Sequence, residues 1–272
     1  MTDIKESYGE HADHIWDKYN SPYIIRSYLH TNQYQTIIKF LKEIDPTTVL
    51  DCGCGEGVLS ILMAREGYKV SAVDISKPNI KVAKQKAKEM GVDVEFIIGD
   101  AENVPFADDS FDVVVSSHVL EHLPDMNKGL QEIKRLSDTA VIAVPTCLGL
   151  SSISVLGGAS PWRLSMKTPL FFKGLAKLLD SLGKDGVMDT CYQGKEEFPH
   201  PWFFPKKFEE ILEKSGLMSL KMEASTLCFP YVSYVFPPSI GLFKFLDKFK
   251  GDGILANFGY GTTYLTKRRA GK

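Results

Sequence analysis

Thr48-Val49-Leu50-Asp51-Cys52-Gly53-Cys54-Gly55-Glu56-Gly57 is the stretch on which the fold turns. A short apolar run ends in an acidic residue, and glycine then takes every second position. A strand entering a turn from which side chains are repeatedly absent lets a ligand lie against the backbone. The G-x-G-x-G spacing is not the G-x-G-x-x-G that brings a helix N-terminus to a pyrophosphate. The expected guest is flat and polar, and is not a pyrophosphate.

Downstream, Val58 to Glu66 has helical apolar spacing, Gly67 suits a helix C-cap, and Tyr68 to Val73 reads as a second buried strand stopping at Asp74. In an open parallel sheet a carboxylate at such a strand end can accept both hydroxyls of a ribose. Val94 to Ile98 is the next strand, followed by Gly99-Asp100-Ala101-Glu102. Asp100 is placed to accept from an adenine amine while the Ala101 backbone donates to the ring. Helices over Lys77 to Met90 and Asp125 to Leu136 alternate with strands over Phe111 to Ser116 and Ala140 to Val144. That alternation predicts a parallel sheet covered on both faces.

With VLDCGCGEG, AVDIS, IIGDAENVPFADDSFDVVVSSHVLEHLPD and EIKRL in this order, Thr48 to Pro145 resembles the class I S-adenosylmethionine-dependent methyltransferases. The likeness is to their broad small-molecule type, which includes the ubiquinone and menaquinone methyltransferases. The resemblance implies an α/β fold: a Rossmann-like, seven-stranded, mostly parallel sheet with helices on both faces and an antiparallel last strand. It further implies an N-terminal lid, inserted substrate-lid segments, and S-adenosyl-L-methionine as cofactor with S-adenosyl-L-homocysteine as product. The cofactor-binding residues expected are Asp51, Gly53, Cys54, Gly55 and Gly57 in the first turn, then Asp74 and Ile75. Asp100, Ala101 and Glu102, then Ser117 and His118, and Tyr8 from the lid complete the set. Methyl transfer from a sulfonium needs donor and acceptor held close and water excluded, with a base where the acceptor carries a proton. Asp51, Glu56 and Asp74 would attract the cationic donor. Histidine suits the base role, and His118 after the fourth strand is the favoured candidate, with His200 as a second and His122 read as structural. No metal is expected. His11 and His14 have helical spacing but no accompanying ligand set, and Cys147, Cys191 and Cys228 read as buried small hydrophobes rather than a metalloid site.

The 272 residues divide into an N-terminal helical lid (1–45), a cofactor-binding core (46–146), a substrate-lid insertion (147–204) and a C-terminal core part (205–272) with an apolar insertion at about 225–257. In the C-terminal part, residues 205–215 read as a helix, 217–222 as strand six, and Tyr260 to Thr266 as a final strand. A net charge of −2 offers no electrostatic case for nucleic acid. Five cysteines, two of them too close in the glycine turn to pair, suggest a reduced, cytoplasmic protein, and the N-terminus lacks a signal-peptide apolar region. No charge occurs from Thr139 through Trp162, or from Ala224 through Phe243, where Phe229, Tyr231, Tyr234 and Phe236 cluster among prolines. Buried packing is one reading of these segments. The other is an apolar acceptor channel or a rim touching a membrane, helped by a basic apolar helix from Phe243 to Lys250. The expected partner is a small, apolar or lipid-like acceptor. The alternatives are a compact polar metabolite, a protein or RNA substrate, and a cofactor-binding protein without turnover.

Overall fold

The computed structural model describes residues 5, 7–8, 15–21, 24–156, 168–193, 196–227, 239–251 and 253–269. Its centre is β1 (Thr48–Cys52), which pairs in parallel with β2 (Lys69–Asp74) on one side and with β4 (Val113–Ser117) on the other. Both faces of such a strand are covered, which is why Val49 and Leu50 have no exposure and the strand reads as a continuous apolar run. With β3 (Glu95–Ile98), β5 (Thr139–Pro145), β8 (Leu217–Ala224) and β9 (Gly261–Arg268), the sheet has the order β3-β2-β1-β4-β5-β9-β8. β9 runs antiparallel to both of its neighbours, as the resemblance implied. The chain leaves β1 toward β2 and returns on its other side at β4, so a crevice opens at the carboxyl ends of β1 and β4.

One face of the sheet is covered by α2 (Ile24–Ile44), α3 (Val58–Arg65) and α4 (Lys77–Met90), the other by α5 (Met126–Leu136) and α8 (Pro205–Ser215). Local chemistry sets the helix ends. At α4 the Ser76 hydroxyl accepts from the Asn79 amide, Pro78 sits in the first turn, and Gly91 closes the helix in the left-handed conformation. α2 is more than a lid. Ile37, Phe40 and Leu41 are fully buried against the sheet, while Gln33 of the same helix lines the space over the strand ends together with Lys5, Tyr8 and Ile15 of α1 (Ile15–Tyr19).

The 147–204 segment contains α6 (Leu150–Leu156), α7 (Thr168–Asp180) and a hairpin of β6 (Gly186–Gln193) and β7 (Glu196–Phe203). Ile153, Leu156, Leu178, Val187 and Trp202 give it a small core of its own. In the first charge-free stretch, Thr139–Pro145 forms β5, where Ala140 to Val144 lie inside the sheet, and Leu150–Leu156 forms α6; residues 157–162 fall outside the described residues. In the second, residues 228–238 fall outside the described residues, and with them Cys228, Phe229, Tyr231, Tyr234 and Phe236. The basic helix expected from Phe243 to Lys250 is corrected. α9 (Ser239–Leu246) gives way to a 3-10 turn at Asp247–Phe249, and Lys250 is buried, donating to Asn32 Oδ1, Thr36 Oγ1 and the Ser225 carbonyl. Among the described residues no helix is long and apolar enough to cross a membrane.

Gly53 has φ +83, and a Cβ there would fall 2.2 Å from Val119 Cγ2. The glycine is therefore required by Val119 and by the left-handed backbone. Gly53→Ala is expected to lower the unfolding free energy by about 1–3 kcal/mol, and adding Val119→Ala should restore part of that loss, as read by urea denaturation.

Candidate active site

The glycine turn is folded back onto the end of β2. The amides of Gly53 and Cys54 both donate to the Val73 carbonyl, at 2.7 and 3.0 Å. Gly53, Gly55 and Gly57 are all left-handed. The Asp74 carboxylate joins the two strand ends: Oδ2 accepts from the Gly55 amide and Oδ1 from the Ser76 amide, each at 2.8 Å. At Gly57 the constraint is packing, since a Cβ would lie 2.8 Å from Ala83 Cβ and 2.9 Å from Phe96 Cε1.

Above these strand ends lies a cavity of about 440 Å³. Of the residues expected from the sequence to hold a cofactor, Gly53, Gly55, Asp74, Ile75, Asp100 and Ala101 line it. Ser117, His118 and Tyr8 border it as well. Asp51, Cys54, Gly57 and Glu102 do not. Asp51 is buried and accepts from the Ser60 hydroxyl; burial, the largest influence, raises its carboxyl to about 7. Glu102 accepts from Lys5 Nζ at 2.7 Å and from the Asp125 amide at 2.8 Å, which secures the loop before α5. Glu56, read as a partner of the cationic donor, instead accepts from the Trp16 amide while the Trp16 indole donates to its carbonyl, which seats α1.

Lys5, Gln33, Asn79 and Tyr260 also line the cavity, and sequence reasoning missed them. They come from the N-terminal preface, the start of α4 and the loop before β9, where no motif marks them. Lys5 bonds Asp100 at 2.6 Å. With that lysine already paired, the cavity offers a neutral, hydroxyl-bearing or cationic ligand two carboxylates that retain acceptor sites. The chemistry suits the ribose and adenine of an adenosyl cofactor.

His118 has φ +57, rare for a residue with a side chain. Its amide donates to the Ala143 carbonyl, and Nδ1 lies 3.0 Å from Glu121 Oε1. Nε2 is occluded, with no partner among the described residues, beside Gly261. The nitrogen a general base would use therefore does not open on the cavity, and this geometry does not support the base role read for His118. His200 is carried by β7 to within 4.9 Å of the His122 ring, centroid to centroid. Burial pulls the His200 imidazole down to about 4, with Glu121 opposing. For Glu121 burial pushes the carboxyl up, but the His118 hydrogen bond and the three nearby histidines outweigh it and hold it below its usual value. His122 Nδ1 meets the Tyr8 hydroxyl at 2.8 Å. No metal site was expected, yet ligand atoms of Glu121, His122 and His200 lie within 4.8 Å of one another. The sequence hides this grouping because His200 belongs to a distant hairpin.

A family model described as "Methyltransferase domain" matches residues 50–139. This part of the chain is a class I S-adenosylmethionine-dependent methyltransferase domain, and S-adenosylmethionine is the cofactor that such a domain implies. The chain is similar to a demethylmenaquinone methyltransferase of Listeria welshimeri, 34% identical over 146 residues, covering 50% of this chain and 60% of that protein. It is also similar to a ubiquinone biosynthesis O-methyltransferase of a Methylobacterium species, 46% identical over 79 residues, 29% of this chain and 32% of the relative. The matches thus span about a third to three fifths of these relatives' lengths. The fold is that of an S-adenosylmethionine-dependent methyltransferase from Clostridium acetobutylicum, with a TM-score of 0.56, 15% identity, and coverage of 94% of this chain and 97% of that one.

Asp51 makes stability depend on pH. Between the unfolded value of roughly 3.9 and the folded value of about 7, the folded state holds more protons, so its contribution is lost as pH rises through this window. His200 acts oppositely: unfolded near 6.5 and folded about 4, it makes stability rise with pH between the two. Asp51→Asn removes the first effect alone. Relative to the wild type, its melting temperature is expected to climb steadily from about pH 4 to about pH 8, measured by calorimetry without cofactor.

Proposed function

We propose that this protein transfers a methyl group from S-adenosylmethionine to a small, partly apolar acceptor of the quinone-like phenol class, leaving S-adenosylhomocysteine. The observation that carries the reading is a shared wall. His122, Leu123 and Pro124 border the 440 Å³ cavity and also a second cavity of about 1260 Å³ between α5, α7 and the β6–β7 hairpin. Leu120, Met126, Val187, Phe198 and Phe203 give the second cavity apolar sides. Two adjoining chambers, one polar at a sheet switch point and one apolar, suit a donor and an acceptor that must meet at their boundary. The names of the quinone-pathway relatives support the same acceptor class.

When bound, the cofactor supplies a methyl group already activated on a sulfonium. The chain's own part is to position and to shield. The Asp74 carboxylate would take ribose hydroxyls on lone pairs left by the Gly55 and Ser76 amides, and Asp100 would take the adenine amine by sharing with Lys5. Tyr8, from the N-terminal preface, would cover the cavity and keep water from the reacting centre. Lys177, Asp180, Lys184 and Asp185 also line the second cavity. They favour a second reading, a compact polar metabolite, in which those charges bind the acceptor.

Calorimetry with S-adenosylmethionine tests the donor half. Binding is expected, and Asp74→Ala should weaken it by about 1–3 kcal/mol; no binding by the wild type overturns the reading. The acceptor half is tested with Met188→Asp, a substitution at an exposed residue lining the second cavity. Turnover of hydroquinone-type acceptors should fall through a raised KM while cofactor affinity holds. Unchanged KM for these acceptors, or turnover of polar amines alone, favours the polar metabolite.

A further inference from the structure

We propose that Glu121, His122 and His200 bind one divalent transition-metal ion of the zinc class, in the wall between the two cavities. Two imidazoles and one carboxylate form the donor set of catalytic zinc sites and of non-haem iron(II) sites, both of which keep coordination positions open. The three ligand atoms lie within 4.8 Å of one another. Bonds of 2.0–2.2 Å in a tetrahedral site need about 3.4 Å between ligands. β7 and the 3-10 turn at Leu120–His122, which carry the three ligands, already pack together.

An independent observation points the same way. Glu121 has a fully buried side chain, and its Oε2 has no hydrogen-bond partner among the described residues. A buried carboxylate oxygen left without a donor is costly. A cation held with His122 and His200 would satisfy it. The surroundings are those of a supported site: His118 Nδ1 holds the other oxygen, Oε1, and the Tyr8 hydroxyl lies against His122 Nδ1. With Nδ1–H donating to that hydroxyl, His122 offers the Nε2 lone pair to a metal, the usual outer-shell arrangement.

Glu121 and His122 also line the second cavity, so open positions on the ion would face the proposed acceptor. An acceptor oxygen bound there would be held beside the donor cavity and would lose its proton more readily. This last consequence rests on the methyltransferase reading; metal binding itself does not.

The test uses the untagged full chain, stripped with chelator and titrated with zinc(II) and, without oxygen, with iron(II). Metal content and calorimetry are read alongside S-adenosylmethionine binding. One equivalent of either ion is expected, with affinity at least tenfold weaker in both His200→Ala and the near-isosteric Glu121→Gln, and cofactor affinity within about threefold. Should Glu121→Gln not fold, His200→Ala decides. No stoichiometric ion, or affinity unchanged by His200→Ala, overturns the proposal even where the cofactor binds. Stoichiometric metal lost with His200, in a chain that binds no cofactor, upholds the metal site and sinks the methyltransferase reading instead.

Discussion

The Asp74 carboxylate is the interaction on which the site depends. It accepts from Gly55 on the β1 turn and from Ser76 at the start of α4, and so ties together two strand ends and a helix N-terminus. The backbone must be left-handed at Gly53, Gly55 and Gly57 to bring those amides round, and the turn can adopt that path only because glycine has no Cβ to strain. A carboxylate already fixed by backbone donors is pre-organised for a ligand. Asp74 lines the cavity where the sheet order opens the crevice.

A second buried polar network lies between α2 and the C-terminal insertion. Lys250 donates to Asn32, Thr36 and the Ser225 carbonyl, while Asp247 accepts from Tyr28, Asn32, Thr226 and the Leu227 amide. Glu223 joins it from β8, bonded to Lys39 at 2.6 Å. Burial lowers the Lys250 pKa, and each partner lost would leave a charge without compensation. The network binds α2 to the 3-10 turn after α9, which joins the N-terminal preface and the C-terminal insertion into one wall. A boundary drawn at residue 45 from sequence therefore passes through continuous structure.

The uncharged stretches show how one pattern can have different causes. From Thr139 to Pro145 the absence of charge is that of a strand buried on both faces. In the second stretch an apolar residue does reach solvent: Leu242 of α9 is exposed. Composition cannot separate these cases, because both burial in a sheet and exposure on an insert are compatible with a run of uncharged residues.

The sequence by itself determined the strand–turn–strand core, the glycine turn, Asp74 and Asp100 at strand ends, and the alternation that makes a doubly covered sheet. These are local matters: side-chain periodicity, left-handed turns and helix caps depend on neighbours a few residues apart. Tertiary structure alone decided that Asp51 lies under the site bonded to Ser60, that Glu56 holds α1, and that Lys5 shares Asp100. It alone brought His200 to Glu121 and His122 and occluded the free nitrogen of His118. Most of these contacts join segments far apart in the chain, and their partners are chosen by how helices and the hairpin pack on the sheet, which no spacing along the sequence records.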